Sequence, residues 1–212
     1  MKVNEIFYSI QGESSFAGWP TAFIRLTGCN LRCTYCDTPY AFDEGMEMSV
    51  AEILKAIEAY PTRLVLVTGG EPMLQLSVGD LFENLLNCGY TVLLETGGQE
   101  SLAKLDPRVH KIMDFKCPSS GMEIHNDYDN VRYLTQRDEV KFVVGDRHDF
   151  DWACDRIRQH DLTSRVGSVL FSPIRDMLSC ADLARWILDC GLCVRLQLQL
   201  HKIIWPEILR GV

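Results

Sequence analysis

Three cysteines fall within eight residues, Cys29-Asn30-Leu31-Arg32-Cys33-Thr34-Tyr35-Cys36, with the spacing C-x3-C-x2-C. Thiolates this close can share one metal centre. A structural zinc site closes its tetrahedron with four protein ligands and a four-iron cluster usually takes four cysteines, so a set of three leaves one coordination position for something else. The spacing admits three centres: a zinc knuckle completed by a distant ligand such as Cys117 or a histidine, an iron-sulfur electron carrier, or a [4Fe-4S] cluster with one open iron. Only the last has a vacancy suited to chemistry.

A second group, Thr68-Gly69-Gly70-Glu71-Pro72, follows an apolar run. Its glycines either let backbone come close to a ligand or form a tight turn before a helix. Glu95 and the stretch Asp114-Phe115-Lys116 close two further apolar runs, as ligand-binding groups or as ordinary polar strand ends. Arg25 lies inside an apolar strand four residues before Cys29. A buried guanidinium needs partners, which favours anion binding there. Gln11 and Glu13 read equally as a solvated turn, and Thr38 before Pro39 as a turn cap.

The elements that must carry these residues are legible from periodicity. Strands are expected at Thr21 to Leu26, Arg63 to Thr68, Thr91 to Glu95, Lys111 to Phe115, Glu139 to Val144, Ser168 to Ser172 and Cys193 to Leu200. Helices are expected between them: from the capping box Ser49-Val50-Ala51-Glu52 toward Tyr60, over Ser77 to Cys88, over Asp149 to Gln159 and over Ser179 to Cys190. Apolar strands alternating with helices predict an α/β fold with a mainly parallel sheet. Ligands gather at the carboxyl ends of such strands, where Thr27-Gly28-Cys29, Thr68 to Glu71, Glu95 to Gly98 and Asp114 to Lys116 all lie. The last strand alternates Val194, Leu196, Leu198 and Leu200 against Arg195, Gln197, Gln199 and His201, so its polar face is expected to look toward the site. Pro118 to Arg137 reads as an irregular insertion.

At 212 residues with 47% hydrophobic and 24% charged content, one domain with a buried core is expected. A formal charge of -8 provides no basic field for a nucleic-acid backbone, so a small-molecule substrate is the better fit. The apolar runs are too short to cross a bilayer and no basic-then-apolar leader opens the chain, so a cytoplasmic protein is expected. Nine cysteines, six of them without a pairing pattern, argue against a secreted disulfide framework.

The cysteine spacing on a loop after the first strand, with the aromatic Tyr35 before the last cysteine, resembles the radical S-adenosylmethionine (SAM) superfamily. The glycine-rich group resembles that superfamily's motif for the SAM amino group. The opening Glu5-Ile6-Phe7-Tyr8-Ser9-Ile10-Gln11-Gly12-Glu13-Ser14, with Gly18, Arg25, Cys36-Asp37-Thr38 and the late Gln199-Leu200-His201-Lys202, looks like the 7-carboxy-7-deazaguanine synthase family.

The resemblance implies a partial (βα) TIM-like barrel of about six core strands, since a full (βα)8 barrel takes about 250 residues. It implies a [4Fe-4S] cluster on Cys29, Cys33 and Cys36, whose free iron is chelated by SAM and whose electron cleaves SAM to a 5′-deoxyadenosyl radical. SAM would be held by Tyr35, Cys36, Asp37, Gly70, Glu71, Glu95, Asp114, Phe115 and Lys116. The pterin substrate would be held by Gln11, Gly12, Glu13, Arg25, Thr68 and His201, with Mg²⁺ on Thr38. The implied reaction is ring contraction of 6-carboxy-5,6,7,8-tetrahydropterin to 7-carboxy-7-deazaguanine with loss of ammonia, in queuosine and 7-deazapurine biosynthesis, with SAM regenerated. An electron donor such as flavodoxin and a homodimer covering the open sheet edge are implied as partners. The rivals are a radical SAM activase acting on a glycine of a partner protein and a non-catalytic zinc-binding module.

Overall fold

The computed structural model describes all 212 residues, Met1 to Val212. Nine strands form one sheet: β1 (Lys2–Ile10), β2 (Pro20–Leu26), β3 (Met46–Glu47), β4 (Leu64–Gly69), β5 (Thr91–Thr96), β6 (His110–Phe115), β7 (Glu139–Val144), β8 (Ser168–Pro173) and β9 (Arg195–Leu196). Their order is β3-β1-β2-β4-β5-β6-β7-β8-β9. From β2 to β9 every pairing is parallel, and β1 runs antiparallel to β2 and to β3. The expected partial barrel is present, with β2, β4, β5, β6, β7 and β8 as its six long parallel strands.

Helices α1 (Val50–Glu58), α2 (Val78–Asn87), α3 (Arg147–Gln159), α4 (Leu162–Arg165) and α5 (Cys180–Asp189) follow strands β3, β4, β7 and β8. The capping box forms as read: the Glu52 amide donates to Ser49 Oγ and the Ser49 amide to Glu52 Oε2, which fixes the start of α1 and is worth about 1 kcal/mol. The apolar stripes of these helices cover the outer face of the sheet, where Ile53, Phe82, Phe150 and Leu183 meet Ile24, Val65, Leu94 and Phe142 in one buried cluster. On the inner face, Phe7, Phe23, Leu64, Leu66, Leu93 and Ile112 form a second cluster that fills the base of the barrel. Two residues further along the same strands, in the same inward phase, come Arg25, Thr68, Glu95 and Asp114. An apolar floor thus lies beneath a polar layer.

Three expectations need correction. Lys2–Ile10 is a strand that periodicity does not reveal, because a register shift between Val3 and Glu5 breaks its alternation. The strand expected at Cys193 to Leu200 shrinks to β9: Leu200 turns away from the sheet, its amide donates to the Gly12 carbonyl, and the chain continues into α6 (Leu200–Ile204). The polar face expected to point inward divides, with Arg195 exposed and Gln197 buried. No helix lies between β5 and β6, and only 3-10 turns lie between β6 and β7.

The gap in the barrel is filled by loops. After β1 the chain enters the lumen toward β7, where the Ser15 amide and hydroxyl donate to Glu139 and His110 Nε2 lies 3.2 Å from the same carboxylate. The Gln199 side-chain amide donates to Glu13 Oε1 at 2.9 Å, joining the segment before α6 to this loop. No helix is long and apolar enough to cross a membrane.

Candidate active site

A cavity of about 660 Å³ opens at the carboxyl ends of the parallel strands. Every residue singled out from the sequence lines it except Phe115. Phe115 follows Asp114 in β6 and therefore points the opposite way. Its ring is fully buried on the helix side, with ring centroids 5.2 Å from Tyr128 and 5.8 Å from Phe142. Its side chain is a core residue, which corrects its placement among the SAM contacts.

The cysteine loop is held from below and from the side. A Cβ on Gly70 would lie 2.2 Å from the Gly28 carbonyl oxygen and 2.7 Å from Cys29 Cβ, so only glycine lets β4 approach the loop this closely. On the other side the Thr34 amide and hydroxyl donate to the carbonyls of Ser120 and Ser119, which gives the irregular insertion after β6 a role as a clamp on the loop. Arg32 donates to the Cys29 and Leu31 carbonyls, both at 2.7 Å, and stacks 4.1 Å over the Phe42 ring. Burial pushes the Cys29 and Cys33 thiols up, so thiolates there form together with a metal rather than before it.

The donor set suits a cluster. Three thiols on one cavity-lining loop can each take a separate iron of a [4Fe-4S] cluster and leave the fourth iron open. Two buried polar atoms beside the loop, Tyr35 Oη and Asp114 Oδ1, have no protein partner. Buried atoms of this kind call for a ligand or water. The unpartnered Asp114 oxygen is an acceptor of the sort a ribose hydroxyl satisfies, and Lys116 Nζ lies 3.1 Å from the other oxygen of the same carboxylate. Burial opposes the Lys116 charge, but Asp114 and Cys33 together raise the ammonium above its ordinary value.

Glu71 is 1% exposed, and its carboxylate is occupied by protein: it accepts from the Met73 amide, Thr96 Oγ1 and the Gly97 amide. It ties the end of β4 to the end of β5, while burial pushes its carboxyl up.

Across the cavity, Arg25 is 13% exposed and donates through Nε to Glu5 Oε1 at 2.7 Å. Glu5 takes this one nitrogen, and the terminal nitrogens remain for an anion. Tyr40 Oη lies 3.3 Å from Glu5 Oε1 and 3.1 Å from the Leu209 carbonyl oxygen, with one hydrogen to give to either. Thr38 precedes the turn Pro39–Phe42, yet its side chain makes no capping bond, so the turn-cap reading fails; the residue lines the cavity with its hydroxyl 3.9 Å from Cys36 Sγ. Gly12 lies under His201, whose Nδ1 would be 2.3 Å from a Cβ there. Burial lowers the His201 ring below its ordinary value despite the nearby Glu13, which leaves it neutral.

Sequence reading missed Lys141 and Tyr40, and quoted Lys202 without giving it a role. Lys141 Nζ lies 2.8 Å from Glu13 Oε2, 2.7 Å from Glu95 Oε1 and 3.4 Å from Asp114 Oδ2. Glu95, expected with the SAM group, and Glu13, expected with the substrate group, therefore meet on one ammonium. The signal was present in Glu139-Val140-Lys141-Phe142, where the two charged residues share the inward phase.

The radical SAM superfamily profile matches residues 23–171. Over its whole length the chain is 45% identical to the 7-carboxy-7-deazaguanine synthase of Koribacter versatilis, all of which is covered. It is 46% identical to that of Chlorobaculum tepidum, covering 97% of the relative and all of this chain. The crystal structure of QueE from Escherichia coli superposes with a TM-score of 0.75 and 26% identity, covering 93% of each chain. With its cysteine loop, glycine cradle and partial barrel in place, the chain belongs to the 7-carboxy-7-deazaguanine synthase family of the radical SAM superfamily.

Proposed function

We propose that this chain converts 6-carboxy-5,6,7,8-tetrahydropterin to 7-carboxy-7-deazaguanine with release of ammonia, and that the polar layer of the barrel divides between cofactor and substrate. Full-length identity to relatives bearing that activity carries the reading. The gathering of the motif residues around one cavity supports it.

Cys29, Cys33 and Cys36 would hold the cluster, with Tyr35, Asp37, Gly70, Glu71, Asp114 and Lys116 around SAM. Bound there, cluster and SAM supply a hydrogen-abstracting radical, a reaction no side chain performs. The chain's own residues do the positioning. Arg25 offers its terminal nitrogens to the substrate carboxylate as a bidentate contact, with Nε already fixed by Glu5. Gln11, Gly12, Glu13, Thr68 and neutral His201 orient the pterin ring, and the apolar floor of Phe23 and Leu66 closes the cavity beneath it. Thr38 would offer its hydroxyl to Mg²⁺, an ion that needs few protein ligands because it usually keeps several waters. Fixing the ring matters because a primary carbon radical attacks whichever C–H bond lies nearest.

A flavodoxin-type electron donor and a homodimer belong to this reading. Leu196 in β9 and Ile203 and Ile204 in α6 are exposed, apolar side chains that a second copy of the chain would cover.

The test is anaerobic incubation of the iron-loaded protein with SAM, reductant, Mg²⁺ and 6-carboxytetrahydropterin. Formation of 7-carboxy-7-deazaguanine and ammonia in equal amounts is expected. Unchanged pterin over an intact cluster would reject the assignment.

A further inference from the structure

Lys141 is 5% exposed, and its three carboxylate neighbours come from separate segments: Glu13 from the loop after β1, Glu95 from β5 and Asp114 from β6. An ammonium has three donor hydrogens and no acceptor. Lys141 donates to Glu13 and to Glu95 and stands 3.4 Å from Asp114, so its charge is committed to carboxylates rather than left open to an anion.

The carboxylates are differently placed. Glu13 Oε1 also accepts from Gln199, Glu95 Oε2 from Thr68 and Asp114 Oδ2 from Lys116. A carboxylate oxygen accepts more than one hydrogen bond, so Glu13 and Glu95 retain acceptor capacity toward the cavity they line. Two carboxylates sharing a buried site repel each other, and without a cation between them one would take up a proton. A protonated carboxyl presents a donor where an ionised one presents only acceptors. The charged and titratable groups facing this point are Glu13 and His201 from the lumen loop and α6, Glu95 from β5, and Asp114 and Lys116 from β6.

We infer that Lys141 is a positioning residue that keeps Glu13 and Glu95 ionised and aimed as paired acceptors, so that the cavity selects a ring presenting adjacent N–H donors, the 2-amino-pyrimidine edge of a pterin. This rests on the function proposed above and adds to it the residue that sets the donor-acceptor sense of the substrate end. The ion pairs agree with it: burial opposes the Glu13 charge, and Lys141, with smaller contributions from His201 and Gln199, holds the carboxyl below its ordinary value.

Two measurements separate this inference from the function itself. The first is an infrared pH titration of the holoenzyme carrying ¹³C-carboxyl glutamate, with no substrate. With the bands of Glu13 and Glu95 assigned by Glu13→Gln and Glu95→Gln, the wild type is expected to show neither of the two protonated above about pH 5, and Lys141→Met to show one of them protonated past neutrality. Glu13 or Glu95 protonated in the wild type above that pH, or neither protonated in a folded Lys141→Met, overturns the inference. The wild-type titration decides even where the variant does not fold.

The second is equilibrium binding of 6-carboxypterin and of its 2-oxo analogue 6-carboxylumazine to the SAM-bound enzyme without reductant. The wild type should prefer the pterin with a flat profile between pH 6 and 8. Lys141→Met should bind the pterin about tenfold or more weakly at pH 7 and recover as pH rises, with SAM affinity unchanged. Lys141→Arg, which keeps the charge, should restore the flat profile. Equal affinity and equal pH profiles in wild type and Lys141→Met would contradict the proposal. Pterin binding without conversion of the tetrahydropterin would instead reject the function while leaving the Lys141 result standing.

Discussion

Lys202 Nζ lies 2.7 Å from Asp37 Oδ2 and thereby fastens α6 to the residue that follows the last cysteine. The same ammonium bonds Gln199 Oε1 at 2.8 Å, so the segment that closes the barrel and the loop that carries the cysteines share one link. Burial alone would raise the Asp37 carboxyl, but Lys202, with His201 and Lys141 further off, carries it below its ordinary value of 3.8. A depressed carboxyl contributes stabilisation that is complete above that value and is lost as pH falls through the lower folded value. Asp37 keeps 51% of its side-chain surface exposed, so solvent screens the pair and its worth is about 1 kcal/mol or less. Lys202→Met should therefore leave the global melting temperature nearly unchanged while raising amide exchange in residues 199–205 at pH 7. Unaltered exchange there would mean the strap is held by other contacts.

Arg25→Lys keeps the charge but loses the fork that Glu5 orients. A loss of about 2 kcal/mol, or roughly 30-fold in kcat/KM carried mainly by KM, is expected for a bidentate charged contact. SAM affinity should not move. Equal losses in SAM and pterin binding would show that Arg25 acts on the barrel as a whole.

Gly70→Ala places a methyl group against the Gly28 backbone and Cys29 Cβ. Neither obstacle is the tip of a flexible side chain, so the cysteine loop must shift. Iron content after reconstitution should fall from about four per chain to below about one, with circular dichroism unchanged. Full iron loading would show that the loop tolerates the displacement.

How much of this was readable in advance varies with how directly side-chain phase reports position. The cysteine loop, the glycine cradle and Arg25 were legible because each breaks a local rule: a cluster of thiols, paired glycines at a strand end, a charge in an apolar strand. Lys141 breaks the same rule as Arg25, but Val143 and Val144 hide it in what reads as a plain buried strand. Phe115 misled because it stands between two cavity residues, and strand geometry sends neighbours to opposite faces. The final segment failed for a different reason. Its alternation is genuine, but pairing with β8 ends after Leu196, and the next anchor is Gly12 rather than another strand.

His201 is neutral in the working range because burial lowers its ring below 6.5. Protonating it costs more in the folded protein than in the unfolded chain, so stability should rise with pH up to about 6.5 and then level. The acid limb of kcat/KM should likewise lie below that value and vanish in His201→Asn. A limb that persists in the variant would assign it to another group.

Thr38→Ala removes the one hydroxyl proposed for Mg²⁺. Its activity should lose most of its Mg²⁺ dependence, with the cluster spectrum and SAM binding intact. Unchanged Mg²⁺ dependence would place the metal elsewhere.

The central claim is that one cavity holds cluster, SAM and pterin together. An anaerobic crystal structure of the reconstituted protein with SAM and 6-carboxypterin tests it most directly. The account predicts a four-iron cluster bound by Cys29, Cys33 and Cys36, SAM completing the fourth iron, and the pterin carboxylate on the terminal nitrogens of Arg25. A single zinc on those cysteines, or a pterin outside the barrel, would contradict it.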